Sequence, residues 1–375
     1  MRIQQFQILE NQPTFNNRDA SVDLVLCFGS KHMLSDVQNI SSISAAFPTA
    51  KIAYCSTAGE IYGNQVHDNS ISVVAIHFDQ TIIKTNSISI DDFKDSYDAG
   101  KQLVADFNFE GLKYIFVLSD GSKVNGSELV KGMNNVVPEH IPITGGLAGD
   151  GSNFQSTLVG LNEIPASGNI LAIAFYGYRI KISHSSMGGW EPFGLQRLVT
   201  KSKANELFEI DGKNALALYK EYLGKYSEEL PGSALLFPLS VNINDDENSL
   251  VRTILSINTQ NQSMLFAGDI PEGSKVRFMK ANFDRLIDAA SHAAHLSLSD
   301  FSSIKPELAI LVSCVGRKII LASRIDEEVE VIKDALGSDT VITGFYSYGE
   351  ISPLVKGTSC ELHNQTMTIT CLSEE

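Results

Sequence analysis

Three stretches of the chain repeat one phrase. They are Tyr54-Cys55-Ser56-Thr57-Ala58-Gly59-Glu60-Ile61, Thr144-Gly145-Gly146-Leu147-Ala148-Gly149-Asp150-Gly151 and Thr343-Gly344-Phe345-Tyr346-Ser347-Tyr348-Gly349-Glu350-Ile351. Each follows a short β-branched run and ends in glycine followed by a carboxylate. A second phrase repeats upstream: Val25-Leu26-Cys27-Phe28-Gly29-Ser30-Lys31, Val117-Leu118-Ser119-Asp120-Gly121-Ser122-Lys123 and Val312-Ser313-Cys314-Val315-Gly316-Arg317-Lys318. The lysine precedes the acid by 29, 27 and 32 residues. A repeat of this kind fixes the architecture before any finer reading. Strand, Gly-x-Lys turn, helix, strand and Gly-acid turn make a βαβ unit, which favours a parallel or mixed sheet. The expectation is an α/β (or α+β) fold with mixed sheets built from duplicated strand–helix–strand units. Polar pockets are expected at the sheet ends, where glycines take positive φ and let backbone approach a ligand.

At 375 residues a single core is not expected. Two domains, 1–203 and 204–375, divide the chain near Ala204. The net charge of −15 argues against nucleic acid, which needs clustered Lys and Arg, and against an anionic membrane surface. No apolar stretch is long enough to span a bilayer, and Met1-Arg2-Ile3-Gln4-Gln5-Phe6-Gln7 has no apolar leader character, so a cytoplasmic location is expected. Cys27, Cys55, Cys314, Cys360 and Cys371 form no Cys-x-x-Cys pair and read as buried, reduced thiols.

Helical spacing predicts helices over 35–47, 91–107, 127–137 (with Ser127 as N-cap), 214–223 and up to residue 297. Strands are expected at 23–28, 71–78, 81–90, 114–118, 156–162, 170–182, 198–202, 234–241, 250–258, 263–268, 308–314 and 366–372, with 156–162 paired to 170–182. Between two strands, 183–194 holds His184, Met187, three glycines and the only Trp, Trp190, and reads as a hairpin loop or pocket wall. His292 and His295 project opposite the apolar face formed by Met279, Phe283, Leu286, Ile287, Ala290 and Ala294, so they read as solvated.

Glu60, Asp150 and Glu350 recur at one place in the unit. Either they accept backbone N–H bonds in their turns, or they face a pocket and bind a ligand amine or hydroxyl alongside Ser347, Tyr348 and Gly349. His67-Asp68-Asn69-Ser70 and His363-Asn364-Gln365-Thr366 are further echoes, readable as strand-opening turns or as pocket-rim histidines. No dinucleotide fingerprint, P-loop or Gly-x-Ser-x-Gly elbow is present. An enzyme would need Cys55, Ser56 or Ser347 activated by a nearby histidine.

Several phrases, in order, resemble one family. Gly189-Trp190-Glu191-Pro192-Phe193-Gly194, Val199-Thr200-Lys201 and Asn205-Glu206-Leu207-Phe208-Glu209-Ile210-Asp211-Gly212 resemble the junction of a FIST N and a FIST C domain. Gly268-Asp269-Ile270-Pro271-Glu272-Gly273, Tyr348-Gly349-Glu350-Ile351-Ser352-Pro353 and Cys360-Glu361-Leu362-His363-Asn364-Gln365-Thr366-Met367 extend the likeness over nearly the whole chain. The resemblance implies a sensory input module of bacterial signal transduction that binds a small ligand. A stand-alone subset, the NosP proteins, binds heme, responds to nitric oxide and controls histidine kinases or cyclic-di-GMP enzymes. It therefore implies heme b as a cofactor, with His184 or His363 on the iron beside Met187 and Trp190; His32 and His67 are weaker candidates. The alternative ligand is an amino acid or similar metabolite held by Glu60, Glu350 and the glycine turns. A signalling protein, such as a histidine kinase, is the expected partner, and the chain could form a homo-oligomer.

Overall fold

The computed structural model describes residues 1–10, 18–230, 232–242, 249–301 and 304–375. The fold is α/β with mixed sheets, and each repeat supplies the centre of one of them. The central parallel pairs are Leu24–Gly29 with Lys51–Ser56, Leu112–Ser119 with Ile143–Leu147, and Leu308–Cys314 with Val341–Ser347. Two antiparallel strands flank each pair on one side. They are Ser70–His77 and Arg2–Leu9 in the first sheet, Asn169–Tyr176 and Ile82–Ser89 in the second, and Met367–Glu374 and Ile180–Met187 in the third.

The other edge of each sheet is closed by a different repeat. Glu60–Tyr62, leaving the first Gly-acid turn, pairs with Val341–Ser347 of the third unit. Gly349–Pro353, at the third turn, pairs with Ile143–Leu147 of the second. Val159–Leu161, beyond the second turn, pairs with Lys51–Ser56 of the first. The exchange is cyclic, so an unpaired edge in one unit is satisfied by the next.

Both faces of these sheets are buried, which is why their strands are continuous apolar runs rather than alternating ones. Leu24, Leu26 and Phe28 point inward with Tyr114, Phe116, Leu118, Leu308, Ile310 and Val312 into one core shared by all three sheets. The opposite faces pack under helices: Val37–Ala46 on the first sheet, Ser96–Ala105 with Gly126–Asn134 on the second, and Phe283–Ser297 with Ile325–Leu336 on the third. The parallel strands approach closely at Gly145 (φ +150°) and Gly344 (φ +158°), where a Cβ would stand 1.8 Å from Val117 O and 2.0 Å from Leu311 O. These glycines serve strand packing, not ligand approach.

A fourth sheet lies between Ile180–Met187 and Phe283–Ser297. Its order is Leu250–Arg252, Leu239–Asn242, Lys275–Lys280, Glu191–Lys203, Glu206–Ile210, Ser263–Phe266 and Ile254–Asn258. Its first and last strands are joined through Thr253 alone, so the sheet curls round its own core. Ala204 (φ +51°) lies in the turn of the hairpin Glu191–Lys203/Glu206–Ile210.

Several expected elements differ. Residues 183–194 are not a loop: Ile180–Met187 pairs along its length with Met367–Glu374, and Glu191–Lys203 opens the fourth sheet, leaving only Gly188-Gly189-Trp190 as the link. The run 170–182 breaks at Gly177 (φ +142°). Val159–Leu161 pairs with the first unit, not with Asn169–Tyr176. Asn125, not Ser127, caps its helix, accepting from Ser127 N–H and Glu128 N–H. Met279 belongs to a strand, and Phe283 is exposed at the helix start. His292 and His295 are exposed, as expected.

The third unit carries a fully buried ion pair. Arg317 Nε donates to Glu328 Oε1 at 2.7 Å, and both side chains have 0% exposure. Tyr346 Oη (2.9 Å) and Ser313 Oγ (3.1 Å) donate to Glu328 Oε2. The guanidinium also donates to Gly188 O at 2.5 Å and Leu286 O at 2.7 Å. Breaking one side of such a pair leaves a buried charge uncompensated. Glu328→Gln is expected to cost about 3–5 kcal/mol in chemical denaturation; a loss below about 1 kcal/mol, the range of an exposed pair, would refute this role.

Candidate functional site

The three Gly-acid turns converge. Ala58 N–H donates to Tyr346 O and Tyr346 N–H to Gly59 O, both at 2.8 Å; Gly149 N–H donates to Ser56 O at 2.8 Å, and Tyr348 N–H to Leu147 O at 3.1 Å.

Two of the acids sit in matching cages. Glu60 Oε1 accepts from Thr57 Oγ1 at 2.5 Å, and its Oε2 from Ser70 N–H (3.1 Å) and Oγ (2.9 Å). Glu350 Oε1 accepts from Ser347 Oγ at 2.7 Å, and its Oε2 from Thr366 N–H (3.1 Å) and Oγ1 (2.9 Å). The echo phrases explain the match: Asn69 (φ +58°) and Gln365 (φ +64°) turn the chain so that the next Ser or Thr caps the glutamate. Asp150, one carbon shorter, accepts from Gln155 N–H, Ser156 N–H and the Tyr348 hydroxyl. All three acids are thus engaged inside their turns. Burial pushes Glu60 and Glu350 up to about 7, against the lowering effect of these hydrogen bonds.

A cavity of about 800 Å³ opens beside the convergence, within the range of small-molecule sites. The repeat body contributes Gly121 to Gly126, Leu147, Phe154, Gln155, Cys314 to Gly316, Tyr348 and Leu362 to its wall. The fourth sheet contributes Asn205, Thr253 to Leu255 and Leu265 to Gly268, and the adjoining turn Gly232 and Leu235. Phe154 stacks on Tyr348 with ring centroids 4.6 Å apart. Phe154, Leu255 and Leu265 are 46%, 45% and 37% exposed, an apolar rim of the kind that marks a binding site. Thr253 is 5% exposed and its hydroxyl has no partner. Gly121 is required by close approach: a Cβ would stand 2.0 Å from Ala148 O and 3.2 Å from Tyr348.

Of the expected ligand residues, Tyr348 lines the cavity; Glu60, Asp150, Ser347, Gly349 and Glu350 are not among its described wall residues. The residues expected beside heme fall on different elements. His184 lies in a strand of the third sheet, half-buried, with Nδ1 unpartnered. His363 lies in the second sheet, buried, with Nε2 2.8 Å from Ser352 O. Burial lowers both imidazoles to about 4. Trp190 Nε1 donates to Gln365 O at 2.9 Å and its ring packs on Met279, Leu286 and Ile320; Met187 packs under the third sheet's helices. His32 is exposed, and His67 has its Nε2 unpartnered. No histidine is among the described wall residues, so the cavity offers heme no imidazole; Cys314 and Tyr348, both pushed up by burial, are its iron-ligating types. Among the described residues no group of three His, Cys, Asp or Glu is placed to hold a metal ion, and no helix is long and apolar enough to cross a membrane.

The three candidate nucleophiles point into the fold. Ser56 Oγ donates to Gly149 O and accepts from Leu158 N–H, Ser347 Oγ donates to Glu350, and Cys55 Sγ contacts Ser56 O. Sequence reasoning missed Thr253, Leu255, Leu265 and Phe154. The available signal was the upstream Gly-x-Lys phrase, whose second and third copies line the cavity at Gly121 to Lys123 and Cys314 to Gly316.

A family model described as the FIST N domain matches residues 23–213, and one described as the FIST C domain matches 215–353. An uncharacterized protein of Methanocaldococcus jannaschii is 24% identical over 253 residues, 63% of this chain; the chain spans about half the length (46%) of that relative. Among solved structures, cyanuric acid hydrolase from A. caulinodans aligns over 100% of this chain and 99% of its own at 6% identity, with a TM-score of 0.39.

The caged glutamates set a pH dependence. Each holds its proton in the fold up to about 7, whereas the ordinary value is 4.5. Their stabilisation is full below 4.5 and is lost as pH rises to 7. His184 and His363, neutral in the fold down to about 4 against an ordinary 6.5, work the other way: their contribution is lost as pH falls from 6.5. Glu350→Gln should therefore be costly relative to wild type at pH 5 and improve by up to about 3 kcal/mol on moving to pH 8, read by denaturation at both values; a difference independent of pH would refute the assignment.

Proposed function

Because the chain belongs to the FIST family, we propose that it is a signal-transduction sensor whose small ligand occupies the cavity between the repeat body and the fourth sheet. The observation that carries this reading is the divided wall: neither part encloses the cavity alone. A ligand held by both shifts the balance between arrangements of the two parts, to the extent that it binds one arrangement better. Polar contacts tie the two parts together across the boundary, among them Thr253 N–H to Asn364 Oδ1 and Asp269 N–H to Ser127 Oγ. Arg252 donates to Leu362 O at 2.7 Å, Asn125 Nδ2 to Asp269 Oδ1 at 3.3 Å, and Lys131 pairs with Asp269 at 3.2 Å. The output is a changed surface presented to a separate signalling protein, such as a histidine kinase or cyclic-di-GMP enzyme, in the cytoplasm. This role needs no turnover.

The amino-acid reading must be recast, since Glu60 and Glu350 are spent in their cages. Heme is the second reading, and one observation favours it: His184 is neutral at pH 7 with a free Nδ1.

A metabolite found by thermal-shift screening should stabilise the wild type by about 2.7 kcal/mol at a hundred times its Kd. Leu265→Trp, placed at the cavity rim, should abolish that gain while leaving the melting temperature without ligand within a few degrees. Retention of the gain would move the site elsewhere. Titration with hemin, followed by reduction and nitric oxide, is expected to give only broad, weak absorption. A sharp Soret band lost in His184→Ala would instead establish the heme reading.

A further inference from the structure

We infer that the cavity takes a flat, apolar molecule with an anionic head, and not an amine. This rests on the cavity being the ligand site.

The lysine of the repeated Gly-x-Lys phrase carries the argument. In two units it reaches across to the Gly-acid segment of the unit that closes its sheet edge. Lys318 Nζ donates to Ala58 O at 2.8 Å, and Lys31 Nζ donates to Ser156 Oγ. By the same cycle Lys123 would reach the third unit's turn at Tyr348. It does not: Lys123 pairs with Asp91 of its own unit at 3.1 Å, and the cavity opens at that junction. The Asp91 pair is half-exposed, so it holds the ammonium only weakly.

The rest of the described wall agrees. It contains no Asp or Glu, although the chain holds 44 of them. Four carboxylates of the repeat body and fourth sheet are occupied: Asp120 by the N–H groups of Gly168, Ser122 and Lys123, Asp150 by Gln155, Ser156 and Tyr348, Glu350 by Ser347 and Thr366, and Asp269 by Lys131 and Asn125. A ligand ammonium would be desolvated with no counter-charge. An anion would meet Lys123, the unpartnered and buried Thr253 hydroxyl, and the positive end of helix Gly126–Asn134, whose cap Asn125 is in the wall. The Phe154–Tyr348 stack and the rim leucines supply a face for a planar apolar body.

Two fluorescent probes of the same ring system test this: 8-anilinonaphthalene-1-sulfonate and the neutral N-phenyl-1-naphthylamine. On the wild-type protein the sulfonate should bind at one site at least about tenfold more tightly. Lys123→Glu should erase that advantage and leave the neutral dye's Kd within about twofold, which also shows that the variant is folded. Thr253→Val should weaken only the sulfonate, and Leu265→Trp should remove both. If Leu265→Trp removes both dyes but the neutral one binds as tightly as the sulfonate, the cavity stands and the anionic preference is overturned. If Leu265→Trp leaves both unchanged, the cavity reading itself fails.

Discussion

The Arg317 guanidinium holds the molecule's two parts in register. Gly188, whose carbonyl it reaches, is where the chain leaves the third sheet for the fourth; Leu286 is where it has just returned. One buried side chain therefore binds both stems of an insertion of about ninety residues to a single point of the third repeat, while Glu328 neutralises it from helix Ile325–Leu336. A well-packed apolar group could stabilise that interior as much, but it could not read two carbonyls and a carboxylate at fixed angles. The pair's contribution is to orientation, and the cavity wall depends on orientation.

Duplication explains why the acids recur without making an active site. Glu60 and Glu350 are held by the same three donors in the same geometry, one set built from Thr57 and Ser70, the other from Ser347 and Thr366. Identical cages at two positions point to a shared structural duty. The binding surface arises where the copies differ. Tyr348 stands where the first two turns carry Ala58 and Ala148, and Lys123 has withdrawn from the contact its counterparts keep.

Much of this was legible from residues. The repeats placed the six central strands, and the runs 23–28 and 308–314 read as strands. The helix carrying His292 and His295 showed its solvated side by spacing alone. What stayed hidden depends on pairing across long distances. Nothing local in residues 183–187 shows that Met367–Glu374 lies beside them, so glycines further on made the region look like a loop. Thr253 and Leu265 have no motif; they matter because the fourth sheet curls back onto the repeats. The glutamates misled for a related reason: an acid after glycine looks the same in sequence whether it faces a ligand or its own turn.

The cyclic exchange of edges also dictates a timetable for the newborn chain. On the side away from its own hairpin Tyr62 pairs with Thr343, and Ser72 meets Thr343 as well. The outer edge of the first unit's outgoing hairpin must wait until the third unit is made. Separation of this length slows folding and leaves sticky edges uncovered meanwhile. The hairpin spanning Glu60–Tyr62 and Gln65–His67 is short, and its sequence from Tyr62 to Asp68 is mostly polar, a composition suited to a strand that spends its early life exposed to other nascent chains.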